Sequence, residues 1–182
     1  GSIRLIQESH RATVRDVTVY ADDEAHMDRI LHAISDNPTT QVLAVRDEVL
    51  ELHDKGKIAI RSRCAVDSLQ ILRRVYTPGV AEVCMKIARD PSLARQYTAT
   101  CHFIAIVTDG TAVLGLGDIG PLAGMPVMEG KAMLMETLVG LSGVPILLNS
   151  KDPDIIVETV ATIAPTFAAI QLEDISAPRC FE

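Results

Sequence analysis

Two short apolar runs bracket one amphipathic stretch near the end of the chain, and that pattern leaves little freedom of fold. Pro145-Ile146-Leu147-Leu148-Asn149 reads as a buried strand. Asp152-Pro153 supplies an N-cap and a first helical residue, and Ile155, Ile156, Val160 and Ile163 share one helical face. Pro165 ends that helix, and residues 166–172 (TFAAIQL) form the next strand. Two strands joined by a helix run parallel, with a right-handed crossover. Glu173-Asp174 therefore falls at the carboxyl edge of a parallel sheet, where open α/β sheets gather their ligands.

The rest of the chain divides into two textures. Residues 3–8 and 12–20 read as strands joined by a Ser9-His10-Arg11 turn, the second alternating Val14, Val17 and Val19 with polar residues. Met27, Ile30, Leu31 and Ile34 make one face of a helix over 23–35, stopped by Asn37-Pro38. Residues 41–45 (QVLAV) read as a strand. Asp47 then caps a helix carrying Val49, Leu50 and Leu52, which Gly56 ends. A domain boundary falls near residues 54–61, where a basic strand begins (Lys55, Lys57, Arg61, Arg63). Beyond it, residues 67–75 and 79–89 are helical, and Asp90-Pro91 opens a further turn or two. Residues 102–107 and 111–116 read as a hairpin around Asp109-Gly110. A glycine-rich loop and a helix over about 128–140 precede the parallel unit.

Composition removes several function classes. The 182 residues carry a net charge of -7, only 3% aromatics and no Trp. A phosphate-backbone binder is basic, and single-strand readers need aromatic platforms, so nucleic acid is not an expected partner. No apolar stretch is long enough to span a bilayer, so no membrane partner is expected either. Cys64, Cys84, Cys101 and Cys180 lack metal-type spacing and fit reduced thiols in a cytoplasmic protein. The chain begins Gly-Ser rather than Met, which leaves an upstream segment as an expectation.

Several residues carry candidate chemistry. Gly115, Gly117 and Gly120 match G-x-G-x-x-G, but Pro121, Gly124 and Pro126 argue against a helix opening on the last glycine to receive a pyrophosphate. The strand before Asn149-Ser150-Lys151 also lacks an acid for a ribose. Glu173 and Asp174 read either as a solvated acidic pair or as two ligands of a hard cation such as Mg²⁺ or Mn²⁺. Lys131, among Ala132, Met133, Leu134 and Met135, reads either as a snorkelling surface lysine or as a base in a cleft. Tyr76, ahead of Thr77-Pro78-Gly79, is a packing residue or a phenolic acid. The histidines at 10, 26, 32, 53 and 102 share no ligand spacing.

Four blocks, YTPGVAEVC (76–84), VTDGTAVLGLGDIGP (107–121), MPVMEGKAML (125–134) and LEDISAPRCFE (172–182), resemble the bacterial NAD(P)-dependent, oxaloacetate-decarboxylating malic enzymes. Residues 3–53 resemble the later part of an ACT domain, a small regulatory module. The implied fold is α/β. A partial ACT-like ββαβ segment (1–54) precedes a malic enzyme N-terminal domain (55–182), whose mostly parallel sheet is flanked by helices. The resemblance makes Tyr76 the general acid, Lys131 the general base, and Glu173 and Asp174 ligands of Mg²⁺ or Mn²⁺. It implies oxidation of (S)-malate to pyruvate and CO₂ with NAD or NADP, in a cytoplasmic homodimer or larger homo-oligomer. Two features depart from the family pattern: Ala168-Ala169 stands where the family has Gly-Gly, and Ala112 where larger relatives carry a substrate-binding Arg. The family's third metal-binding Asp, its nicotinamide domain and its substrate-binding asparagines lie beyond Glu182, so this chain alone is expected to be inactive. A non-catalytic ACT-type dimerisation unit and a malolactic-type relative are the alternatives.

Overall fold

The computed structural model describes residues 1–8 and 12–182, so the expected Ser9-His10-Arg11 turn lies outside the described residues. The chain forms two compact units, Gly1–Glu48 and Val49–Glu182.

The first unit holds β1 (Ser2–Glu8), β2 (Thr13–Thr18) and α1 (Glu24–Ser35). β1 and β2 pair antiparallel, with Ile3 opposite Val17. α1 starts where its cap is: the Asp23 carboxylate accepts from the His26 N–H at 2.6 Å. The strand expected over 41–45 does not form. Leu43 and Val45 stay 68% and 55% exposed, so the run pairs with none of the described strands and buries no apolar face. The segment is thus ββα rather than ββαβ.

The second unit continues with α2 (Glu48–His53), which opens at its boundary, α3 (Leu69–Val75), α4 (Val80–Arg89), α5 (Ala94–Tyr97), β3 (Phe103–Thr108), α6 (Pro121–Val139), β4 (Ser142–Leu147), α7 (Pro153–Ile163) and β5 (Ala169–Leu172). The expected basic strand after residue 54 is instead an extended segment tied to α6. The Lys57 N–H donates to Glu129 Oε2 at 3.1 Å, and Lys57 Nζ donates to the Pro126 carbonyl at 2.8 Å.

The sheet order is β4-β3-β5, with both pairings parallel. The βαβ reading of the last third therefore holds, and β3 extends it. Pro145 pairs opposite Ile106 on β4, an outer strand of the sheet, where a missing N–H is tolerated. The expected hairpin around Asp109-Gly110 does not form. Both hydrogen-bonding edges of β3 are taken by β4 and β5, so residues 111–116 cannot add to it. They fold into a bend in which Val113 and Gly117 bridge each other.

α6 also begins earlier than periodicity indicates. Gly120 is its N-cap and Pro121 its first residue, a position where the missing N–H has no intrahelical partner to lose. Pro126 lies inside the helix. Gly124, Met128 and Ala132 form its buried stripe, an i, i+4 row. Met128 and Ala132 pack on Ile106 with Ile58, Met135 and Leu147 around them. β4 comes close enough to α6 that only glycine fits at 143, since a Cβ there would lie 2.6 Å from Ala132 Cα. Gly143→Val is expected to destabilise the unit by about 1–3 kcal/mol through overpacking. A urea unfolding curve with an unchanged midpoint would contradict this. Among the described residues, no helix is long and apolar enough to cross a membrane.

Candidate functional site

Parallel pairing sends all three strand ends to one edge, so the segments after Thr108, Leu147 and Leu172 share it. From β3 the chain crosses to β4 on one side, then returns past β3 to β5 on the other. The crevice between the ends of β3 and β5 is where such sheets place ligands.

Backbone hydrogen bonds stitch those two ends together. The Glu173 N–H donates to the Val107 carbonyl at 2.8 Å, extending the ladder one residue beyond β5. The Ala112 N–H donates to the Asp174 carbonyl at 2.9 Å, and the Ser176 N–H to Thr111 Oγ1 at 3.0 Å. Asp174 has φ 54°, the left-handed region that a short polar side chain tolerates better than most and that clusters at functional sites.

Three of the four expected site residues meet here. Lys131 Nζ, from α6, lies 3.3 Å from Glu173 Oε1. Glu173 Oε2 accepts from Gln171 Nε2. Asp174 Oδ2 is buried and has no hydrogen-bond partner among the described residues. Burial lifts the Asp174 carboxyl above the usual aspartate range, and the Glu173 charge pushes the same way while Lys131 pulls it down. A desolvated, repelled carboxylate oxygen with no donor is the arrangement a hard cation relieves, so the pair fits two positions of an oxygen-ligated Mg²⁺ or Mn²⁺ site. Among the described residues no third His, Cys, Asp or Glu joins them as a ligand set.

Tyr76 stands on another element, at the end of α3. It caps the C-terminal end of α3, where its N–H donates to the Leu72 carbonyl at 2.9 Å and its carbonyl accepts from the Val80 N–H at 2.7 Å. Its side chain is 65% exposed and shares no described hydrogen bond or ion pair with Lys131, Glu173 or Asp174.

The glycine loop also needs correction. A helix does open on its last glycine, contrary to the expectation from Pro121, Gly124 and Pro126. What separates it from a dinucleotide fingerprint is distance from the strand: Gly115 follows a bend rather than the end of β3. Gly110 closes the loop. Its φ is 68°, a Cβ would meet the Gly120 carbonyl carbon at 2.2 Å, and its carbonyl accepts from the Gly120 N–H at 3.1 Å. Ala168 and Ala169 are exposed, and β5 keeps regular pairing with Ile104 opposite Ala169. Ala112 contributes its N–H, not a charge.

Sequence reasoning missed Asp109, Thr111 and Arg179. Asp109 is fully buried, with Oδ1 accepting from the Thr111 N–H and hydroxyl at 3.0 and 2.6 Å. The available signal was its place after an apolar run, the same signal that singled out Glu173-Asp174.

The sheet topology, the lysine on the connecting helix and the acidic pair at the strand end define an α/β domain with a candidate ligand site at its carboxyl edge. Residues 53–153 match the model of the malic enzyme N-terminal domain. The chain is 46% identical over its whole length to NAD-dependent malic enzyme 1 of Bacillus subtilis, and covers 42% of that protein. It is 49% identical over 99% of its length to the NAD-dependent malic enzyme of Geobacillus stearothermophilus, covering 38% of it. The crystal structure of malic enzyme from Pyrococcus horikoshii superposes with a TM-score of 0.72 at 45% identity, over 74% of this chain and 32% of that one. The chain belongs to the malic enzyme family. It spans about two fifths of the length of the curated relatives it matches.

Proposed function

We propose that these residues supply the lysine and carboxylate portion of a site that oxidatively decarboxylates (S)-malate to pyruvate and CO₂ while NAD⁺ or NADP⁺ is reduced. The observation that carries this reading is the convergence of Lys131 with Glu173 and Asp174 at the β3–β5 crevice. Lys131 Nζ takes the proton of the 2-hydroxyl as the hydride at C2 passes to the nicotinamide, which leaves a 2-oxo acid primed to lose its 4-carboxylate as CO₂. Tyr76, placed in this role by the YTPGVA motif and carrying a 65% exposed side chain, returns a proton to C3 of the resulting enol. Glu173 and Asp174 would hold a divalent cation, which supplies polarisation of the C2 oxygen and stabilises the developing enolate charge. Residues 1–54 are read as a regulatory and self-association segment. The antiparallel β1–β2 pair, with Ile3, Leu5 and Ile6 exposed on the first strand, supports it. A monomer by sedimentation would remove the self-association.

The test is turnover of (S)-malate by the whole protein with Mn²⁺, following nicotinamide absorbance and identifying the product. Pyruvate with stoichiometric NAD(P)H is expected, whereas lactate without net nicotinamide reduction would replace the reading with a malolactic one. Tyr76→Phe is expected to lower kcat about 10²-fold or more with a smaller change in KM. An unaltered kcat would remove Tyr76 from the acid role.

A further inference from the structure

The segment after β5 is held down mainly by one side chain. Arg179 Nη1 donates to the Lys151 carbonyl at 2.7 Å, and Nη2 donates to Thr111 Oγ1 at 2.9 Å and to Ser176 Oγ at 2.6 Å. Its guanidinium also lies 3.3 Å from Asp109 Oδ2, an oxygen that makes no hydrogen bond among the described residues. Arg179 is therefore the neutralising charge for a carboxylate that has no access to water, and its donors are committed to protein acceptors rather than open to a ligand. The residues it grips, Asp109 and Thr111, follow β3. The residues it belongs with, Glu173 to Ser176, follow β5.

We propose that Arg179 is the positioning residue of the acidic pair. By latching the segment after β5 onto Asp109 and Thr111, it sets where the Glu173 and Asp174 carboxylates stand. The same latch keeps the Asp174 carbonyl on the Ala112 N–H and the Ser176 N–H on Thr111. Residues that orient ligands from behind change metal affinity without touching the ion. The inference rests on reading Glu173 and Asp174 as cation ligands.

Arg179→Lys keeps a cation opposite Asp109 but lacks the planar fork that reaches Lys151, Thr111 and Ser176 together. Mn²⁺ titrated into the whole protein, with free ion read by electron paramagnetic resonance, is expected to show a Kd about 10-fold or more weaker in this variant. Amide hydrogen exchange is expected to quicken at Ala112 and Ser176 and to stay unchanged at Ile106 and Val107. A purely structural role would lower the unfolding midpoint and leave the Kd of the folded chain alone. An unchanged Kd, or unchanged exchange at Ala112 and Ser176, overturns the proposal. If Arg179→Lys does not fold, the paired Asp109→Asn/Arg179→Gln exchange removes both charges from the interior and is read the same way. Failure of the underlying reading looks different: the unsubstituted whole protein itself takes up no Mn²⁺.

Discussion

Lys131→Ala lowers kcat/KM for malate about 10³-fold or more in the whole protein, the scale expected when a positioned proton-transfer group is removed. Lys131 is the cation paired with Glu173, at 3.3 Å, and it draws the neighbouring Asp174 carboxyl down against burial. The alanine variant leaves two carboxylates facing each other with less compensation and, on the proposed reading, also lacks the amine that accepts the hydroxyl proton. Lys131→Arg separates these effects. It restores the charge beside Glu173 but stays protonated and cannot serve as a base. Activity is expected to stay low in Lys131→Arg while Mn²⁺ affinity stays near that of the parent. Small primary amines added to Lys131→Ala should restore part of the rate. If Lys131→Arg turns over malate normally, Lys131 is a charge partner and not the base.

Asp174→Asn is expected to move stability in opposite directions depending on the divalent ion. Without the ion, the substitution removes a charge disfavoured by burial and by Glu173, so the thermal unfolding midpoint should shift upward. With Mn²⁺ at about 100 times its Kd, the parent chain gains about 2.7 kcal/mol by linkage and the variant little or none. The pH dependence follows from the same shift. The folded carboxyl holds its proton to higher pH than the unfolded one, so this residue costs nothing below the usual aspartate range. Stability in the ion-free chain falls as pH rises from that range through the raised folded value, and the full cost persists above it. Asp174→Asn should flatten that part of the stability profile. A lower unfolding temperature for ion-free Asp174→Asn would show that the carboxylate is held by donors after all.

What was legible in the sequence was local or periodic. Asp23 and Asp152 cap α1 and α7 because a short acidic side chain reaches the first-turn N–H groups whatever the rest of the chain does. The apolar run, helix and apolar run at the end of the chain could close only as parallel strands, which put Glu173 and Asp174 at the ligand edge. Lys131 stood out for its charge among apolar neighbours. Where reasoning failed, the deciding interaction was long-range. Asp109-Gly110 has the chemistry of a hairpin turn, but β3 had already committed both edges to β4 and β5. The run at 41–45 has strand composition, yet it joins no described strand and its apolar side chains stay exposed. Pro121 and Pro126 suggest a break, yet Pro121 opens α6 at its first position and packing of Met128 and Ala132 on the sheet carries the helix through Pro126.

The sequence by itself determined the parallel character of the last strands, the helix caps and the residue types available for catalysis, because each depends on spacing within a few turns or on connection handedness. Only the tertiary structure decided which charges meet. It paired Lys131 with Glu173, left Asp174 Oδ2 without a donor and buried Asp109 under Arg179. A charge taken out of water must find its partner wherever the fold supplies one, and that partner can lie 65 or more residues away, as Arg179 does from Thr111.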